Sequence, residues 1–208
     1  MTNGSLLNKN GDIFFVTNTV ATIDLENVTI TNQDADGYFL RAAAAGWGSE
    51  GSNGGQATMN LVKQTAEGDI IVDETSSLNL YLKDCSSYTG AINSDNEDGQ
   101  IYVEIQDGST WTLSGDSYIT SLTCASGSIN LNGHKLYVNG VEYSEGTAST
   151  GEAIVVEVST SSHGGMSEGN MPGGDHGAGG DNEPPEKPDG DHKPGDGNEP
   201  PAKPGSNS

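Results

Sequence analysis

Proline is missing from the first 171 residues: all eight prolines of this 208-residue chain lie at or after Pro172. Long apolar runs are missing too. Nothing approaches the roughly 18 consecutive apolar residues of a membrane-crossing helix, so no membrane insertion is expected. Cations are scarce: eight lysines and arginines stand against 30 acids, for a net charge of −22 at pH 7. A surface of that sign repels DNA, RNA and anionic lipid, which excludes nucleic acid as a partner. The two cysteines, Cys85 and Cys124, are too few for a disulfide framework and form no CxxC pair. Whether they meet within the roughly 7 Å between Cα atoms that a bridge needs stays open. The opening MTNGSLLNKNGDIFF lacks the basic start, apolar stretch and small-residue cleavage site of a secretory signal. The chain is therefore expected either to stay inside the cell or to be a mature or truncated piece of a secreted protein.

What is present divides the chain in two. Residues 1–158 hold 21 acids and 5 bases, and are acidic in their own right. From 159 on the sequence turns to Gly, Pro, Asp and Ser, with a near-repeat of NEPPEKP (182–188) and NEPPAKP (198–204). Such a segment has too little apolar surface to offset its ordering entropy. A folded domain is expected over 1–158 and a disordered acidic tail over 159–208.

The folded part reads as all-β. Short runs rich in Val, Ile, Thr and Tyr recur between Asn, Asp, Gly and Ser corners. In SLNLYLK (77–83), Leu78, Leu80 and Leu82 alternate with Asn79, Tyr81 and Lys83, and AIVVEV (153–158) reads as a closing strand. Only FLRAAAAG (39–46) has a helical look. Similar starts recur as GDIFFV at 11, GDIIVD at 68, GQIYVE at 99 and GSINLN at 127. Coils of about 20–30 residues, stacked about 4.8 Å apart around an aliphatic interior, fit this spacing. The missing proline fits as well, because each interior strand must donate to its neighbour. An antiparallel sandwich is the competing architecture, but it would show more two-residue Asn-Gly or Asp-Gly hairpins. The expected fold is a right-handed parallel β-helix.

The segments VTNTVATIDLENVTIT, FLRAAAAGWGSEGSNGG, GDIIVDETSSLNLYLKDCSSYTGAIN and STWTLSGDSYITSL together resemble right-handed parallel β-helix proteins secreted by clostridia-like bacteria. Relatives of that class are described as carbohydrate-binding-domain proteins, and many carry Gly/Met/Pro-rich tails similar to GGMSEGNMPGG here. The resemblance covers most of 11–143. It implies an extracellular or cell-surface setting and a polysaccharide partner.

Candidate ligand-binding residues follow from chemistry. Trp47, in the glycine-rich stretch AAAAGWGSEGSNGGQ (42–56), is placed either to stack on a sugar ring or to fold back and plug the coil. Tyr38 and Arg41 lie just before it. Arg41 is the sole arginine and suits either a sugar carboxylate or an ordinary salt bridge. Alternation turns Tyr81 and Tyr102 outward, where stacking across coils would make an aromatic strip. Two acidic corners offer hard oxygen ligands suited to Ca²⁺. One is Asn32, Asp34 and Asp36 in NQDADG; the other is Asp95, Glu97 and Asp98 in SDNEDG. Neither is an EF-hand, and any Ca²⁺ binding is expected to be weak. No catalytic constellation is legible. Lys9, Arg41, Lys63, Lys83 and Lys135 are scattered, which leaves no recognisable lyase base. TxT pairs of the kind used to bind ice occur at Thr17/Thr19, Thr29/Thr31 and Thr110/Thr112, without a constant period. The expected role is a non-catalytic polysaccharide-binding module. The alternatives are a structural stalk or adhesin segment, or a polysaccharide lyase or hydrolase.

Overall fold

The computed structural model describes residues 1–106 and 108–156. The tail expected from 159 on, with its three histidines, lies outside them. The described residues contain no helix. They form a parallel β-solenoid of about six coils. The first coil carries β1 (Ser5–Asn8), β2 (Phe14–Val16) and β3 (Thr19–Glu26), and the second β4 (Thr29–Asn32), β5 (Leu40–Ala42) and β6 (Gly55–Val62). The third carries β7 (Thr65–Glu67), β8 (Ile70–Val72) and β9 (Ser77–Lys83). The fourth holds β10 (Ser87–Thr89), a single bridge at Ile92, and β11 (Gln100–Ile105). The fifth holds β12 (Thr110–Thr112), β13 (Ser117–Ile119) and β14 (Ser121–Cys124). The last has β15 (Ile129–Asn130) and β16 (Leu136–Val138), then reverses into β17 (Val141–Glu142).

Each coil contributes one strand to each of three faces. The first face runs β1, β4, then β7, β10, β12, β15; the second runs β2, β5, β8, Ile92, β13, β16; the third runs β3, β6, β9, β11, β14. Strand pairings between coils are parallel; the antiparallel pair β16–β17 and the antiparallel bridge Cys124–Ser149 close the end. Register on the third face gives the coil lengths. Gln56 lies 21 residues before its partner Ser77, Ser77 lies 23 before Gln100, and Tyr102 lies 19 before Ser121. Val20 and Gln56, by contrast, are 36 apart. The second coil is long because it carries an insertion at each of two corners, NQDADG and the Trp47 loop.

Alternation sets the interior. Leu78, Leu80 and Leu82 are fully buried and stack on Ala57, Met59 and Leu61 below and on Ile101, Val103 and Ile105 above. Under the first face runs an aromatic column. Phe39 lies 6.1 Å from Tyr88, and Tyr88 lies 6.2 Å from Trp111, centroid to centroid. Their polar tips are met inside: Tyr88 donates to the Gly68 carbonyl and Trp111 Nε1 to that of Gly90, each at 2.9 Å. A Cβ at Gly90 would strike the Gly68 carbonyl and the Tyr88 hydroxyl, so only glycine fits there. Corners are closed by buried serines whose hydroxyls accept amides of the preceding coil. Gln64 N reaches Ser86 Oγ at 3.0 Å and Ile92 N reaches Ser117 Oγ at 3.0 Å. Asn3, Asn27 and Lys63 take positive φ at the turn from third to first face. Asparagine tolerates that conformation, and here Asn27 also donates to Asn3 Oδ1 at 2.8 Å.

Two expectations change. FLRAAAAG forms the strand β5 and an irregular turn instead of a helix, because β2 and β8 offer it a ladder on both sides. Residues 151–156 form no strand but a strap across the third face. Gly151 N and Glu152 N bond Thr123 Oγ1 and Ser121 Oγ, and Ile154 exchanges two bonds with the Asn79 side chain at 2.8 and 2.9 Å. The cysteines are unbridged, with Cys85 exposed and Cys124 buried.

Candidate functional site

The second face ends in a pair of tyrosines. Parallel register places Tyr118 of β13 beside Tyr137 of β16, both pointing outward. Their rings stack with centroids 4.9 Å apart and planes within 6°. The stack lines a cleft of about 410 Å³ together with the corner Asn96–Gly99, Asn139 and Gly140. Both tyrosines keep part of their surface exposed. The corner is held by Asn93, whose Nδ2 donates to the Glu97 carbonyl at 2.7 Å and whose carbonyl accepts the Asn96 amide at 2.9 Å. Flat aromatic surface, two carboxylates and side-chain amides therefore share one concave site. The sequence singled out Glu97 and Asp98 of this cleft, with Asp95 on the same corner, but missed Tyr118 and Tyr137. Their contact depends on a 19-residue register, and the sequence shows it only if SYI (117–119) is aligned with LYV (136–138).

The outward strip expected from Tyr81 and Tyr102 is not free. Tyr102 sits in the ladder between Asn79 and Ser121, directly beneath the strap, and only 4% of it is exposed. It meets Tyr81 edge-on at 5.9 Å and donates to Glu104 at 3.0 Å. Burial, with smaller contributions from neighbours that include Glu104, pushes its hydroxyl above the usual tyrosine range. Tyr81 is half-buried, with Lys83 Nζ 4.7 Å from its ring centroid.

Trp47 is exposed, with 57% of its surface open, which excludes the plug. Its loop is nonetheless anchored. The buried Asn53 donates to the Ala45 and Trp47 carbonyls at 2.9 and 3.1 Å. Asp73, one coil on, accepts the Ala44 amide at 2.6 Å and bonds from Thr75 and Ser76. Burial pushes the Asp73 carboxyl up, but these hydrogen bonds outweigh it and hold the group below its ordinary value. The Trp47 loop and the corner 94–99 lie on the same edge of the solenoid, between second and third faces, two coils apart.

Arg41 takes the ordinary salt bridge. Its Nε donates to Asp12 at 2.6 Å, and its guanidinium lies 4.6 Å over the Tyr38 ring. In the NQDADG corner, Asn32 and Asp34 spend their oxygens on the turn and on the coil below. Asp34 accepts the amides of Gly11 at 2.7 Å and Asp36 at 3.0 Å, which lowers its pKa. Asn32 Oδ1 accepts from Asn8 at 2.9 Å and from the Asp34 amide at 3.2 Å. Asp36, Asp95, Glu97 and Asp98 are exposed. Among the described residues no three His, Cys, Asp or Glu side chains converge as a metal site. The Thr29/Thr31 and Thr110/Thr112 pairs share the first face, but only Thr110/Thr112 lines up with Thr65, Ser87 and Thr89, and Glu67 interrupts that row. No described helix is long and apolar enough to cross a membrane. No protein-family profile, no curated protein and no solved structure matches the chain.

Proposed function

We propose that the solenoid is a non-catalytic polysaccharide-binding module acting outside the cell or at its surface. The observation that carries this reading is the Tyr118–Tyr137 stack beside the 96–99 corner. A flat aromatic surface takes the apolar face of a sugar ring, while Glu97, Asp98 and the amides of Asn96 and Asn139 suit its hydroxyls. Trp47 supplies a further aromatic on the edge that carries the 96–99 corner, two rungs or ~10 Å from that corner and three to four rungs, ~14–19 Å, from the tyrosines along the axis. A linear glycan lying along that edge touches both. The rigid coils fix these groups in advance, so little ordering entropy opposes binding.

The test is retention on immobilised polysaccharides, with the ligand first chosen on a glycan array. Tyr118→Ala and Tyr137→Ala should each weaken binding about tenfold, the loss of one stacking contact worth roughly 1–1.5 kcal/mol. Wild-type retention by both variants, with melting unchanged, refutes the cleft as the site. No glycan binding by the wild type leaves the chain as a stalk segment. Release of reducing ends or unsaturated uronates makes it an enzyme.

A further inference from the structure

One rung is missing from the first face. β1 pairs with β4, and β7 pairs with β10, but β4 and β7 do not pair. The second and third faces run unbroken past the same two coils, so the gap is local. It opens just after Asn27, whose amide still reaches the Val62 carbonyl at 3.3 Å, and closes at Phe39, whose amide reaches the Asp69 carbonyl at 2.8 Å. Between them lies a cleft of about 600 Å³.

The backbone groups lining it can be assigned. Thr29 N and Gln33 N donate to Gly4 and Asn8, so alternate residues of β4 serve β1, and the peptide groups of Ile30 and Asn32 point into the gap. Ser87 N donates to the Gln64 carbonyl and Gly68 N to that of Thr89, so Thr65 and Glu67 likewise turn toward the gap. Two sheet edges therefore face each other, open except at the Thr65 carbonyl, which accepts Gln64 Nε2 at 2.6 Å.

Gln64 measures the width. Its side-chain amide donates to the Val28 carbonyl and accepts the Val28 amide, both at 2.7 Å. A side-chain amide stands there where a rung's peptide group would. The flanking backbones are thus about two rung spacings apart, ~9–10 Å, which is the room one added strand needs.

Going beyond the glycan reading and independent of it, we propose that this slot receives an extended, basic segment of a partner protein as a strand parallel to β4 and β7. The ladders fix its pattern. One side chain points inward between Ile30 and the buried Ala66, and must be apolar. The next faces outward between Thr31 and Glu67. Glu67 makes no salt bridge among the described residues. Beyond it the slot continues into a cleft of about 690 Å³ lined by Asp34, Asp36 and Asp69. Basic residues complement that end, on a chain of net charge −22.

The probe is a fluorescein-labelled peptide of sequence Gly-Thr-Val-Lys-Arg-Lys, with a scrambled peptide and one N-methylated at valine as controls. Anisotropy measures affinity, and amide exchange by NMR reads the slot on the full chain. In the free protein the amides of Ile30, Asn32, Thr65 and Glu67 should exchange fast while those of Thr29 and Gly68 are protected. The peptide should slow the first set about tenfold or more, and N-methylation or scrambling should weaken binding by a similar factor. Glu67→Lys, an exposed change, should weaken it too. Thr65→Pro should abolish it, because proline removes a donor that the fold itself does not use. Equal binding of all three peptides, or binding that leaves those four amides fast, would mean attraction to an acidic surface and overturns the proposal. Protection of the four amides in the free chain overturns it as well, and so does protection that grows with protein concentration, which assigns the slot to a second copy.

Discussion

The two tryptophans occupy opposite environments, and each can be removed while the other reports. Trp111 is fully buried in the aromatic column and donates to Gly90; Trp47 is largely exposed. Trp111→Ala empties the interior of the fifth coil and leaves the Gly90 carbonyl without its indole donor. Burial loss plus cavity gives about 3–5 kcal/mol, of which the contact with Tyr88 supplies roughly 0.5–1.5 kcal/mol. For a folded unit of this size, about 2–4 °C of melting temperature follows each kcal/mol, so melting should fall by roughly 6–20 °C. Trp47→Ala should cost no more than about 0.5 kcal/mol, as for an exposed substitution. The chain has only these two tryptophans. Emission from Trp47→Ala should therefore be blue-shifted, coming from buried Trp111 alone, and emission from Trp111→Ala red-shifted. Thermal melts followed by circular dichroism complete the comparison. Equal losses of stability, or blue-shifted emission from Trp47 alone in a folded protein, would refute the assignment of plug and platform.

Other outcomes follow from single contacts. Because the folded pKa of Asp73 is depressed, its stabilisation is full above the ordinary value of 3.8 and is lost as pH falls through the folded value. Melting of the wild type should therefore drop toward that of Asp73→Asn on acidification below about pH 4, a convergence checked by parallel melts. Asn79→Ala removes both bonds to Ile154; the Ile154 amide should then exchange about tenfold faster or more, and Tyr102 should become accessible to collisional quenchers. Calcium at about ten times its dissociation constant would stabilise by about 1.4 kcal/mol. Because no three acidic side chains converge among the described residues, any rise in melting from millimolar Ca²⁺ should be small, and no rise at all removes the metal from the account.

Strand alternation was the most legible feature of the sequence, because burial on one face imposes a period of two whatever the architecture. Leu78, Leu80 and Leu82 announce β9 and its inward face. The coil period was less legible. The four look-alike starts fall on different faces: those at 11 and 68 lead into β2 and β8, the one at 99 into β11, and the one at 127 into β15. They share a strand-entry chemistry, not a rung position. Of AIVVEV, the described residues 153–156 misled for a related reason: alternating apolar residues serve a strap bonded by side chains as well as a strand, and the strap lies over Tyr102. Tyr118 and Tyr137 are invisible as a pair until register brings them together. Gln64, an ordinary polar residue in sequence, acquires its meaning only from a rung that is not there.

The reversal into β17 governs how long the stack can be. Every coil presents its successor with three open edges, so a solenoid has no intrinsic reason to stop, and identical subunits could in principle continue it end to end. Here the outer edge of β16 is taken by Val141 and Glu142 running in the opposite direction, and Tyr143, mostly buried, folds over the final coil with its amide on the Leu136 carbonyl. A seventh parallel strand would have to displace a hairpin partner that is covalently attached and already paired. A two-residue strand thus ends parallel growth on the second face, and the antiparallel bridge from Cys124 to Ser149 does the same on the third.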